Sequence, residues 1–173
     1  MRRTVTLVDE SGTPLGEADL LDAHTGTGKL HRAFSVYVFR EGKKQILIQR
    51  RSKKKMLWPM VWANTCCSHP FAGESPEQAG ERRLGEELGF TCALRPCADF
   101  VYRAEDPSGK GVEHEYVTIL LGSCDAPAVH PNPDEVDSFR WIDVSELRED
   151  MQRHREWYAP WFHLGLEKIL AAS

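Results

Sequence analysis

Nothing in this 173-residue chain approaches the roughly 20 consecutive apolar residues that a membrane-spanning helix needs. The N-terminus carries two arginines but reaches acidic residues without passing through the apolar core of a signal sequence. A soluble, cytoplasmic protein with no membrane partner is expected. There is no excess of basic charge either. Lys and Arg number 22 against 26 Asp and Glu, leaving a net charge of −4, so a nucleic-acid backbone is excluded as the main partner. An anionic ligand would have to meet a local cluster of cations. The five cysteines are an odd number, and the adjacent Cys66 and Cys67 are poorly placed to bridge each other. That excludes a disulfide framework and fits a reducing compartment. With no repeat, linker or low-complexity segment, the chain reads as one compact domain over 1–173, expected to be a monomer.

What is present is a run of short β-branched segments with two kinds of punctuation. Residues 4 to 8 read as a strand, followed by a turn in E-S-G-T-P-L-G and by loop or short helix from Asp19 to Gly28. His31 to Arg40 and Gln45 to Arg51 read as a hairpin across E-G-K-K. Residues 61 to 67 suggest one strand entering a turn at S-H-P. A helix over 76 to 88 is signalled by Ser75 as N-cap, Pro76 at N1, Gln78 completing a capping box and Gly89 as the stop. Strands near 98–105 and 112–122 flank D-P-S-G-K-G, and a strand at 138–142 leads into helices from Val144 and at 161–171. The fold class is α+β, with a mixed sheet flanked by helices.

Three features carry chemistry. The 76–88 helix holds Arg82, Arg83, Glu86 and Glu87, with pairs spaced four apart. By itself this can be a solvated face laced with ion pairs, each contributing about 0.2–0.5 kcal/mol. N-T-C-C-S-H-P places a thiol, Cys67, two residues from His69. Glu113 and Glu115 share a strand face with Val117, Ile119 and Leu121 by period-two alternation. They either end that strand in solvent or form buried carboxylates that need a metal or another partner. His24, His31, His69, Glu113 and Glu115 together offer a nitrogen and oxygen donor set suited to manganese, zinc or magnesium.

The string G-E-S-P-E-Q-A-G-E-R-R-L-G-E-E-L-G-F resembles the Nudix box, which holds divalent metal against a diphosphate. Two positions depart from it. Ser68 stands where the box opens with Gly, and Arg83 stands where the hydrolases have their first metal-binding Glu. An arginine cannot hold a metal but can pair with phosphate oxygens, making the diphosphate a handle and not the reacting group.

H-T-x-x-x-x-L-H-x-A-F, R-R-S-K-K-K-M-L-W-P, N-T-C-C-S-H-P, this modified box, F-V-Y-R-A-E-D-P-S-G, E-H-E and A-P-W follow one another from about residue 4 to 165. In that order and spacing they resemble the type I isopentenyl-diphosphate isomerases, which interconvert isopentenyl and dimethylallyl diphosphate. The resemblance implies a Nudix-like fold and a small diphosphate substrate. It makes Cys67 and Glu115 the acid–base pair, with Tyr102 assisting the carboxylate and Trp161 facing the reacting carbons. It implies a metal held by His24, His31, His69, Glu113 and Glu115, and a diphosphate-bound magnesium near Glu87 and the Cys67 backbone. Arg51, Lys55 and Arg83 would contact the diphosphate. Leu20 stands where many members carry a Lys for the same purpose, and Lys29 and Lys53 are candidates to supply the charge. The competing reading is a Nudix hydrolase of a nucleoside diphosphate derivative, supported by Glu74, Glu86 and Glu87 and opposed by Arg83.

Overall fold

The computed structural model describes residues 3–172. The unit expected over 1–173 also includes Met1, Arg2 and Ser173, which lie outside the described residues. A mixed sheet is built around β3 (His31–Arg40), whose side chains alternate between two cores. Ala33, Tyr37 and Phe39 enter one core; Phe34, Val36 and Val38 enter the other. The helix α2 (Pro76–Leu88) covers the second core through Ala79, Leu84 and Leu88, while α3 (Val144–Arg153) and α4 (Pro160–Ala171) cover the first. Apolar residues on both faces explain why β3 reads as a nearly continuous hydrophobic run.

At its start β3 meets β1 (Thr4–Val8), which pairs with β2 (Pro14–Asp19) at the sheet edge. The P-L-G stretch expected to be turn therefore begins a strand. An edge position accommodates Pro14, because its missing N–H breaks no ladder on the open side. A short helix, α1 (Leu20–Ala23), follows, with the Asp19 side chain capping Leu21 N. Along its length β3 runs parallel to β8 (Val112–Ser123), and β8 pairs antiparallel with β7 (Leu94–Glu105) across the D-P-S-G-K-G hairpin.

The hairpin of β3 with β4 (Gln45–Arg51) holds for two pairs, Phe39↔Ile46 and Arg40↔Gln45. Beyond these the strands part, and β4 joins β9 (Val136–Asp143) and β5 (Trp62–Ala63). Asn64 and Thr65 fill the split. Thr65 Oγ1 accepts from Val38 N at 2.9 Å and donates to Leu47 O at 2.7 Å. Asn64 Nδ2 donates to Val36 O at 3.0 Å. The single strand expected over 61–67 is thus two, β5 and β6 (Cys66–Ser68), because the side chains between them bond to the backbones of both separating strands.

Helix α2 has the expected cap: Ser75 and Gln78 form a reciprocal capping box and Gly89 closes the helix at φ 73°. Gly80 lets it approach the sheet, since a Cβ there would fall 2.6 Å from Leu94 Cδ1 and 2.8 Å from Leu120 Cδ1. Arg83 and Glu87 are buried by this approach, so that side of α2 is not a solvated face.

Candidate active site

Because β3 and β8 are parallel, both begin at the same end of the sheet, and His31 lies in register with Glu115. There the apolar row of Ile119 and Val117 continues into the buried carboxylates of Glu115 and Glu113. His24 arrives from the end of α1 and His69 from the residue after β6. His69 Nε2 lies 2.9 Å from Glu115 Oε1, His31 Nε2 lies 3.5 Å from the same oxygen, and His24 Nε2 lies 3.9 Å from it. One donor atom from each of His24, His31, His69 and Glu115 falls within 4.8 Å of the others. Glu113 is outside this group of four; its Oε2 faces His24 Nε2 at 3.1 Å. Backbone carbonyls orient two of the rings: His24 Nδ1 bonds Leu20 O and His31 Nδ1 bonds Lys29 O, each at 2.7 Å, turning Nε2 inward.

The charges of these buried groups are interdependent. Burial, then the Glu115 charge, pushes Glu113 up to about 7. Burial acts the same way on Glu115, but hydrogen bonds from His24, His31 and His69 outweigh it and hold this carboxyl well below the usual range. His24 is raised to about 10 against the effect of burial, by Glu113 and then Glu115, whereas burial lowers His69 to about 4. The center of the cluster calls for positive charge, and the donor set is compatible with a divalent metal ion.

Beside the cluster lies a cavity of about 390 Å³. Its deep wall holds His24, His69, Glu113 and Glu115, while His31 is fully buried behind it. Tyr102, opposite Glu115 in the β7–β8 register, donates to Glu115 Oε2 at 3.0 Å. Burial raises the Tyr102 phenol far above its ordinary value, so it remains a donor. Cys67 and Trp161 line the same cavity and meet at Asn64. Asn64 Nδ2 bonds Val36 O and Cys66 O, which fixes Oδ1 as the acceptor for Trp161 Nε1 at 3.2 Å and Cys67 Sγ at 3.7 Å. Burial pushes the Cys67 thiol up to about 12, with Arg51 opposing it.

The mouth is cationic. Arg51 is held by Trp58 O at 2.9 Å and Leu57 O at 2.8 Å, and its guanidinium lies 5.1 Å above the Trp161 ring. The loop supplying those carbonyls is anchored by Asp106, whose carboxylate accepts from Trp58 N at 2.7 Å; this gives the D-P-S-G turn a structural part in the site. Lys55 pairs with Glu135. Arg83 pairs with Glu86 at 2.7 Å, with Glu87, and with Glu135 at 3.3 Å, while its buried Nε has no partner among the described residues. Glu87 lies behind Arg83, outside the cavity lining. Leu20 is at the rim, but Lys29 and Lys53, the candidates to offset it, do not line the cavity. Asn64, Arg3 and Glu135 are the neighbors that sequence reasoning left without a role. Of these, Asn64 had a signal, as the first residue of N-T-C-C-S-H-P.

Residues 29–164 match the NUDIX domain. Among solved structures, a protein from Deinococcus radiodurans superposes with a TM-score of 0.70 at 21% identity, covering 87% of this chain and 90% of that one. A MutT NUDIX hydrolase from Burkholderia pseudomallei superposes at 0.61 with 19% identity, covering 81% and 98%. Identities this low speak to the fold alone. The isopentenyl-diphosphate Delta-isomerase of Nocardia farcinica is 43% identical over 97% of this chain and 95% of its own length. That of Halorhodospira halophila is 39% identical over 91% and 90%. Near-full-length identity at this level, on a Nudix fold, shows that this chain belongs to the isopentenyl-diphosphate Delta-isomerase family.

Proposed function

We infer that this chain interconverts isopentenyl diphosphate and dimethylallyl diphosphate by adding and removing protons, without cleaving the diphosphate. The observation that carries this reading is one cavity lined by a protonated thiol, a hydrogen-bonded carboxylate and an indole, with a cationic mouth. In the forward direction a proton is added to the terminal alkene carbon, and the π electrons leave a cation at the tertiary carbon. Loss of a proton from the neighboring carbon returns a C–H electron pair as the new double bond, so the reaction is redox-neutral. Cys67 and Glu115 are the two proton-transfer groups. Tyr102 holds Glu115, and the face of Trp161 stabilises the cation, by about 2 kcal/mol for a desolvated pair.

Arg51, Lys55 and Arg83 hold the diphosphate. A metal such as manganese, zinc or magnesium would be held by His24, His31, His69 and Glu115 together with Glu113, whose Oε2 lies 3.1 Å from His24 Nε2, and would fix the Glu115 carboxylate and lower its basicity. Magnesium would accompany the diphosphate beside Glu87 and the Cys67 backbone, neutralising part of its charge. The working unit is taken as a monomer with one domain over 1–173, in which a single copy supplies Cys67, Glu115, Tyr102 and Trp161 to one cavity. A reducing, cytoplasmic setting suits the five free cysteines.

The hydrolase alternative is opposed by Arg83, whose guanidinium sits where a metal-binding carboxylate would be needed. Incubation with isopentenyl diphosphate and magnesium in heavy water distinguishes the two. The isomerase forms dimethylallyl diphosphate carrying deuterium in a methyl group; release of phosphate or pyrophosphate without isomerised product would overturn the assignment.

A further inference from the structure

Arg3 lies just before β1, far in sequence from the rest of the site, yet its side chain lines the same cavity. Its backbone is fixed there, because Arg3 O accepts from Leu20 N at 2.8 Å. Its guanidinium donates to Ser68 Oγ at 2.6 Å, on the strand that carries Cys67. Among the described residues a hydroxyl is its one side-chain hydrogen-bond partner, and it forms no ion pair there. Every other cation named at the mouth has a carboxylate or a pair of carbonyls to hold it.

Burial depresses the proton affinity of Arg3, and the charge of Arg83 depresses it further, with Glu135 opposing more weakly. A half-buried guanidinium with a hydroxyl and no ion pair of its own, and only the more distant pull of Glu135, is incompletely compensated charge. Arg83, itself buried, has a free Nε in the same region. Both observations are met by one ligand chemistry, a polyanion with several acceptor oxygens.

We propose that Arg3 is a fourth cation of the diphosphate pocket, binding the substrate's phosphate oxygens together with Arg51, Lys55 and Arg83. This rests on the reading of the mouth as a diphosphate site. Arg3 supplies a charge to a rim where Leu20 supplies none. Acting on the diphosphate and not on the reacting carbons, Arg3 contributes to binding the ground state and the transition state equally, so its loss belongs in KM and not in kcat.

The test uses the full-length protein and its Arg3→Gln, Arg3→Lys and Arg83→Gln variants. Gln retains a donor for Ser68 and removes the charge, and an unchanged thermal midpoint verifies the fold. Titration with inorganic pyrophosphate and magnesium is run alongside isomerisation kinetics at several salt concentrations. Arg3→Gln is expected to weaken pyrophosphate binding and raise KM by about tenfold or more, as for loss of a charge-assisted hydrogen bond, with kcat nearly preserved. Its KM should also depend less steeply on salt, and Arg3→Lys should recover part of the affinity. If Arg3→Gln binds pyrophosphate like the wild type while Arg83→Gln binds it weakly, Arg3 has no part in the pocket and the diphosphate reading stands. If the wild type itself fails to bind pyrophosphate and both Gln variants keep the wild-type KM, the diphosphate reading falls and Arg3 with it.

Discussion

Tyr102 and Glu115 face each other across the β7–β8 pair, and the phenol donates to Glu115 Oε2 at 3.0 Å. The other oxygen of the same carboxylate lies 2.9 Å from His69. One oxygen therefore belongs to the histidine cluster and one to the cavity side, where the phenol directs it. Tyr102→Phe keeps the ring packing and removes the donor. Hydrogen bonds to charged groups contribute about 1.5–3 kcal/mol, so kcat should fall by about 10- to 100-fold with KM little changed. Steady-state kinetics check this, and a variant as fast as the wild type would detach Tyr102 from the chemistry.

Asn64 offers a second point of attack. Its amide donates to two buried carbonyls and its oxygen receives both Cys67 and Trp161. Asn64→Ala leaves those carbonyls unsatisfied, which should cost about 2 kcal/mol or more in denaturant unfolding. Assayed at a temperature where it remains folded, the variant should also lose kcat, because thiol and indole lose their common support. A loss of stability with kcat intact would make Asn64 a purely structural wedge.

The histidine cluster predicts coupled loss of metal and turnover. His69→Ala removes one of the four converging donors and the partner of Glu115 Oε1. The purified variant should contain less bound metal by elemental analysis and turn over negligibly while keeping its circular dichroism spectrum. Stripping metal from the wild type with a chelator should lower its thermal midpoint, since an ion that binds only the folded state stabilises it by mass action. Full activity in metal-free protein would refute this.

The thiol of Cys67 yields a pH dependence whose sign is fixed by burial. A neutral thiol is favored over a buried thiolate, so titration is pushed up to about 12 and the group is protonated at neutral pH. Alkylation requires the thiolate. Its rate at Cys67, followed by peptide mass spectrometry with iodoacetamide, should rise about tenfold per pH unit from about pH 7 to about pH 10, with no plateau. A plateau near neutrality would mean a stabilised thiolate and would overturn the reading of Cys67 as a protonated group.

Local features of the fold could be read directly. The capping box at Ser75 and Gln78 and the stop at Gly89 involve residues a few positions apart, and they define α2 without reference to the rest of the chain. The bounds of β3 and β4 follow from their composition in the same way. What could not be read depends on contacts across the chain. Alternation puts Glu113 and Glu115 on one face but cannot say that Glu115 meets His31, since that follows from the β3–β8 register. The break between β5 and β6 depends on Thr65 meeting the backbones of β3 and β4. Arg3 carries no motif, and its place at the cavity follows from the β1–β2 edge that positions it.

The parallel pairing of β3 with β8 also orders events in time. His24 and Glu113 meet although 89 residues separate them, and no local turn can bring parallel strands together. Closing so long a loop is entropically costly and is repaid only when the strands dock, which makes such contacts late in folding. The α2 helix and the β1–β2, β3–β4 and β7–β8 hairpins can form beforehand, but the histidine cluster cannot. A chain emerging from synthesis therefore has scattered imidazoles, and the metal proposed for them could be captured only once folding is complete.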